Sequence, residues 1–276
     1  MFNRTSLLLI VTLLIGEPVQ AQESGGMRQR FQRIKESTFR ILVAGKAAGT
    51  GFAVATDLVA TNFHVVQQAS ATASGQTQVG FAATIEVQLQ DGRKLPATPH
   101  PSVTGRNLQE AIGKDVVLLT VGSKTLRALK LGRFADISEG DALYLAGYPL
   151  GVEQSIVTRG TLSTKWKTSG YLGQGGTRDV AWLDVSMTKG NSGGPVVLVS
   201  NDPDRDAVIG IANFSLNPFA QSAEELAGIA AAFPGNVAIM GVDFKKFAVI
   251  VGAALASQSH GVGGCVAIDY LKVPTQ

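Results

Sequence analysis

Cysteine is almost absent from this chain of 276 residues: Cys265 is the only one. No intrachain disulfide can form, so the fold must hold through its core. No His or basic side chain adjoins that thiol except His260 five positions earlier, which marks it as a buried structural residue rather than a reactive one. Histidine is nearly as scarce, with 3 in all, so chemistry that needs an imidazole must draw on His64, His100 or His260. Charged residues make up 16% of the chain, against an average of about 25%, and the net charge of +3 is too small to argue for nucleic acid as a partner. Long apolar runs are missing as well. The best one in the body of the chain, Phe247 to Ala256, is interrupted by Gly252 and falls short of the roughly 20 residues that a bilayer span needs, so no stable membrane span is expected.

What is present begins with the N-terminus. Arg4 precedes the apolar run Leu7 to Ile15, and Val19-Gln20-Ala21 is small at both cleavage-site positions, which reads as a signal peptide over residues 1–21 and places the mature protein in the periplasm or outside the cell. Residues 22–37 follow as a basic segment. Arg28, Arg30, Arg33 and Lys35 cluster there with Arg40 just beyond, and Phe31 and Ile34 are spaced to give one apolar helical face, so the charges are expected on a solvated face.

Glycine is abundant, at 32 residues, and the apolar runs are short and numerous. Strands are predicted at 38–44, 50–55, 57–61, 84–90 and 115–121, then at 141–147, 154–163, 179–185, 194–199, 206–214 and 236–242. Six or so per half suits an all-β fold of two packed six-stranded antiparallel barrels, about 38–125 and 138–245, joined through the stretch from Gly122 to Glu139. Ser222-Ala223-Glu224-Glu225 fits a capping box before the run Leu226 to Phe233, with Pro234-Gly235 to stop it, so a helix is predicted at 223–233. Phe244, Phe247, Ala248, Val251 and Leu255 have helical spacing and predict a C-terminal helix over 243–257. Residues 38–256 then form one domain, with a tail at 257–276.

The sharpest chemical signal is Gly190-Asn191-Ser192-Gly193-Gly194-Pro195. A serine with three glycines fixed around it arises by chance in under about one chain in a hundred of this length. The glycines let the backbone turn sharply beneath the hydroxyl. Gly190, Asn191 and Ser192 then form an oxyanion loop in which the amides of Gly190 and Ser192 converge on one point, and losing one such donor costs about 3 to 4 kcal/mol of transition-state stabilisation. A phosphate-cradling loop would show Gly-x-x-x-x-Gly-Lys spacing, which is absent.

A serine nucleophile needs a base. His100 lies between prolines in a loop and His260 sits in a Gly-rich tail, whereas His64, in Thr61-Asn62-Phe63-His64-Val65-Val66, follows two predicted strands. The imidazole must also be held in one tautomer, which calls for a carboxylate at the start of an anchored strand. Asp115, ahead of Val116-Val117-Leu118-Leu119, meets that requirement better than Glu110 or Asp91. This chemistry needs no cofactor and no metal.

These motifs, in the order His64, Asp115, Ser192, resemble the trypsin-like serine peptidases, and more closely their bacterial HtrA branch. Gly49-Thr50-Gly51-Phe52, Gly147-Tyr148-Pro149-Leu150-Gly151 and Asp184 extend the resemblance, which covers roughly 38 to 250. It implies a serine endopeptidase acting through an acyl-enzyme on extended or unfolded polypeptides. It also implies a pocket floored near Ser186 and walled by Ile211, Ala212 and Asn213, whose backbone pairs with substrate. No carboxylate sits at that floor, so an apolar residue is expected before the scissile bond. Asn191 stands where animal digestive members carry Asp, so activation through an ion pair with a new N-terminus is not expected. The chain stops too early after the protease segment to hold the PDZ domain usual in the HtrA branch. Homo-oligomers occur in that branch, but nothing in residues 22–40 establishes one. The helix at 223–233 would be an insertion after the pocket wall, either a lid or a surface helix. Two other readings remain open: a non-catalytic peptide-binding module on the same fold, and an esterase using the same trio.

Overall fold

A computed structural model describes residues 19–71, 77–215, 220–232, 238–239, 242–256 and 261–274. Most of the expected signal segment, residues 1–18, lies outside the described residues.

Two closed antiparallel barrels of six strands each organise the chain. The first contains β1 (Thr38–Val43), β2 (Lys46–Ala53), β3 (Leu58–Thr61), β6 (Ile85–Gln88), β7 (Lys94–Pro99) and β8 (Val117–Val121). A separate hairpin, β4 (Gln67–Ala71) with β5 (Thr77–Phe81), follows the short helix α2 (Phe63–Val66). Helix α3 (Leu108–Lys114) leads into β8. The second barrel contains β9 (Ala142–Gly147), β10 (Ile156–Ser169), β11 (Thr177–Asp184), β12 (Pro195–Leu198), β13 (Ala207–Ser215) and β16 (Val262–Ala267). Between β13 and β16 lie α4 (Ala220–Ala232), the two-residue strands β14 (Ala238–Ile239) and β15 (Val242–Asp243), and α5 (Phe244–Ala256). An N-terminal helix, α1 (Val19–Glu36), precedes the first barrel.

The core divides into three parts, and the division explains the apolar patterning. Ile41, Val59, Val87, Val117 and Leu119 fill the first barrel, while Leu145, Leu162, Leu183, Val196 and Ile209 fill the second. A third cluster, including Phe52, Leu118, Tyr144, Val180 and Ile211, is shared between barrels. Strand β8 contributes Val117 and Leu119 to its own barrel and Leu118 to the shared cluster. Burial on both faces is why the run after Asp115 reads as continuously apolar rather than alternating.

Three sequence expectations change. The second barrel closes with β16, which falls in the segment read as a tail, whereas the described residues of 236–242 form β14 and part of β15 outside the barrel. The domain therefore runs past residue 256. Gly263 and Gly264 hid this strand, because glycine depresses strand propensity. Strand β7, a segment absent from the predicted strands, carries Pro96 and Pro99 yet pairs with β6 and β8. The predicted helices appear as α4 and α5, with α4 starting two residues before the expected cap at Ser222. Phe233, at the end of the first prediction, lies outside the described residues.

The third change concerns the basic segment: Phe31 and Ile34 pack inward as their spacing suggests and Arg28 is exposed, but Arg30 and Arg33 are held by the domain rather than solvated. Ile34 is 1% exposed within the shared core, and Phe31 packs edge-on against Tyr144 at 5.0 Å between ring centroids. Arg30 and Arg33 both pair with the buried carboxylate of Asp206, at 2.9 and 3.4 Å. Asp206→Ala leaves the Arg30 guanidinium without its carboxylate and Arg33 with only the exposed Asp204, and an expected loss of about 3 kcal/mol follows. Urea unfolding of the two proteins checks it; equal midpoints would show that α1 is held by Ile34 and Phe31 alone.

Candidate active site

His64 and Asp115 come from the first barrel and Ser192 from the second, and the three meet where the barrels join. Helix α2 places His64, whose side chain is 24% exposed. Asp115 caps α3 with φ 56° and ψ 42°, a left-handed conformation that Asp tolerates better than most residues, and this turn aims its carboxylate back at α2. The carboxylate is 1% exposed and collects several donors. Its Oδ1 accepts the backbone N–H of His64 at 2.9 Å. Its Oδ2 accepts from His64 Nδ1 at 2.7 Å and from Asn213 Nδ2 at 2.7 Å. A carboxylate offers only acceptors, so the imidazole proton sits on Nδ1 and the Nε2 lone pair is left free to take a proton. The Asp115 carbonyl is tied in turn to Asn62 Nδ2 at 2.8 Å.

Ser192 lies in a loop whose carbonyls are nearly all anchored. Lys189 O accepts from Leu150 N at 2.7 Å, Gly190 O from Thr50 Oγ1 at 2.6 Å, Asn191 O from Gly194 N at 2.9 Å and Ser192 O from Thr50 N at 2.8 Å. In a trans peptide the N–H points opposite to the C=O. Anchoring Lys189 O and Asn191 O therefore turns the amides of Gly190 and Ser192 the other way, and neither has a hydrogen-bond partner among the described residues. The Asn191 N–H differs: it donates to Thr188 O at 3.1 Å, so Asn191 drops out of the expected oxyanion donors. Gly190 holds φ 103°, and a Cβ there would stand 2.3 Å from Tyr148 O, which excludes any other residue. Ser192 Oγ lies 3.5 Å from Asn213 O and forms no hydrogen bond with His64. Such contacts often tighten only with substrate bound.

The expected pocket residues fall less neatly. Ser186, just beyond the end of β11, is exposed, while its neighbours Val185 and Met187 are buried. Ile211 pairs with both Pro195 and Val266, and Ala212 gives its N–H to Gly194 O and its C=O to Gly193 N. Neither can add a substrate strand. The pairing with β12 ends at Pro195 and Ile211, a bulge between Ala212 and Phe214 shifts the register against β16, and among the described residues β13 from Asn213 onward has a strand neighbour only on the β16 side.

Three side chains that the sequence did not single out complete the site. Thr50 locks the nucleophile loop, as above. Tyr171, in the β10–β11 turn, sets its ring 6.0 Å from that of His64. Arg178, on β11, reaches 3.3 Å from Asn213 Oδ1 and 3.8 Å from Asp115 Oδ2. Only Thr50 had a sequence signal, through Gly49-Thr50-Gly51-Phe52.

Cys265 is fully buried on β16, where desolvation pushes its thiol up to about 12, in keeping with an inert structural role.

Two closed six-stranded barrels, with a bonded His64–Asp115 pair and the Ser192 loop both reaching Asn213, define a trypsin-like fold. The model of the trypsin-like peptidase domain matches residues 49–211, and the chain belongs to that family. Mouse serine protease HTRA3 is 33% identical over 169 residues, 60% of this chain and 32% of the relative. Putative protease Do-like 14 of Arabidopsis thaliana is 33% identical over 165 residues, 58% and 34% respectively. The chain thus spans about a third of the length of the curated relatives it matches. Among solved structures, the HtrA-type protease AlgW with tripeptide superposes with a TM-score of 0.56 at 22% identity, covering 88% of this chain and 60% of that one. The Rv3671c protease in its inactive form gives 0.54 at 18%, covering 90% and 91%. At those identities the likeness is one of fold.

Proposed function

We propose that this chain is a serine endopeptidase that cleaves extended or unfolded polypeptides through an acyl-enzyme. Ser192 attacks the carbonyl, His64 Nε2 takes its proton and later returns it to the leaving amine, Asp115 orients the imidazole, and the amides of Gly190 and Ser192 hold the oxyanion. The observation that carries this reading is the buried Asp115 carboxylate bonded to both the backbone N–H and the Nδ1 of His64, an arrangement that serves a base better than it serves a core. Membership of a peptidase family and similarity to HtrA proteases support it.

The finer character of the enzyme belongs to the same proposal. Residues 1–21 direct export, so the protease works in the periplasm or outside the cell. Val185 and Met187 are the buried side chains before the nucleophile loop, and Asp184 is exposed. A basic residue before the scissile bond would find no counter-charge there, which leaves an apolar preference. Substrate adds as a strand along the edge of β13 that opens at Asn213.

A fluorophosphonate should label the wild type and not Ser192→Ala, and mass spectrometry of fragments from an unfolded protein should show cleavage after apolar residues only with the wild type. A folded wild type that labels at no pH would leave the non-catalytic peptide-binding reading in its place. Rapid turnover of small esters without cleavage of unfolded protein would favour the esterase.

A further inference from the structure

Arg178 is a cation where the catalytic scheme asks for none. Its side chain is 11% exposed, it sits 3.8 Å from the Asp115 oxygen that accepts from His64, and burial pulls its guanidinium down while Asp115 opposes that pull. Its NH1 bonds Asn213 Oδ1, and Asn213 Nδ2 bonds the same Asp115 oxygen. Arginine only donates, so it fixes which way the Asn213 amide faces and turns the NH2 group toward the carboxylate. The order Arg178, Asn213, Asp115, His64 is thus a continuous chain from β11 of the second barrel to α2 of the first.

We propose that Arg178 is a positioning residue that sets the lower pH limit of activity, by balancing the Asp115 charge against which the His64 imidazolium would otherwise form. With Arg178 present, protonating His64 places a second cation beside the Asp115 carboxylate, so the base stays available in more acidic surroundings. The inference rests on the peptidase reading above.

The other groups around the cluster do not substitute for it. Tyr171 faces His64 and Arg178 from the β10–β11 turn. Tyr270, from the C-terminal turn, also faces Arg178; desolvation first, with Asp179 contributing, pushes its phenol up to about 12, so it carries no charge at working pH. Lys114 lies over the Tyr270 ring at 4.6 Å and gives its ammonium to Thr177 O, and Asp179 is held by Lys167 and Tyr270. Among the described residues Arg178 is the one cation paired with Asp115 besides His64 itself.

The test is the pH dependence of the fluorophosphonate labelling rate for the wild type, Arg178→Gln and Arg178→Lys, each shown to be folded by its thermal melt. Arg178→Gln should move the acid limb up by about one pH unit, whatever happens to the plateau, and Arg178→Lys, which keeps the charge, should leave it near the wild-type position. Arg178→Met serves as the neutral variant if the Gln protein does not fold. An acid limb unchanged in the neutral variant overturns the inference, as does one that moves equally far with Lys, because geometry rather than charge would then be responsible. If neither neutral variant folds, Arg178 is structural and the inference falls. A wild type that never labels refutes the peptidase reading itself, whereas a labelling wild type with an unmoved limb refutes only the role of Arg178.

Discussion

Asp115→Asn should lower the rate of peptide hydrolysis by about 10⁴ while leaving both barrels folded. The backbone can accept the change, since Asn tolerates φ 56° as readily as Asp. The hydrogen bonds cannot. His64 N, His64 Nδ1 and Asn213 Nδ2 all donate to the two carboxylate oxygens, and a carboxamide has only one acceptor oxygen to offer. At least one donor must face the new NH2, which costs about 1 to 3 kcal/mol of stability. If the imidazole escapes by moving its proton to Nε2, the lone pair needed for Ser192 is gone. Peptide turnover and a thermal melt on the same samples separate the effects: a variant within tenfold of wild type in turnover would mean that Asp115 does not orient the base.

Gly190→Ala should cost about 10²- to 10³-fold in turnover, with the Michaelis constant little changed, because it removes a donor that acts in the transition state. Its Cβ would lie 2.3 Å from Tyr148 O and 3.1 Å from Leu150 N, both backbone atoms that cannot swing aside. Relief requires the peptide between Lys189 and Gly190 to turn, which breaks the Leu150 N to Lys189 O bond and withdraws the Gly190 N–H from the cleft. Gly140→Ala is the matching control, since Gly140 also holds a positive φ of 90° but has open space around it. Equal losses in both variants would assign the effect to backbone strain rather than to the oxyanion donor.

Much of this molecule is legible in one dimension, and the reasons differ from part to part. The nucleophile loop can be read because a tight turn with two inward amides demands glycine at particular offsets, and that demand leaves a rare pattern. Five strands of the first barrel can be read because each carries a short apolar run, whereas β7, with Pro96 and Pro99, cannot. His64 stands apart from His100 and His260 in the sequence because it follows two strands legible there, whereas His100, which follows β7, spends its Nδ1 on the backbone N–H of Ser102.

Other features left no such trace. Strand β16 is written in Val262-Gly263-Gly264-Cys265, and its glycines are there because Met187 and the Phe214 ring occupy the space their side chains would need. That requirement comes from strands far away in the chain. Arg178 carries no motif, since its pairing with Asp115 across the two barrels constrains two positions and nothing between them.

The sequence by itself therefore determined the chemical parts: a serine on a glycine turn, a usable histidine, a carboxylate before a doubly buried strand, and enough strands for two barrels. The tertiary structure decided what lies between those parts: which amides remain free to face the cleft, where β13 opens its edge, and which cation shares the Asp115 carboxylate. The physical reason is the range of the constraints. Turn geometry and strand burial act over a few residues and shape composition locally. Hydrogen-bond partnership and charge balance act across the barrel junction, between residues that meet only when both barrels have closed.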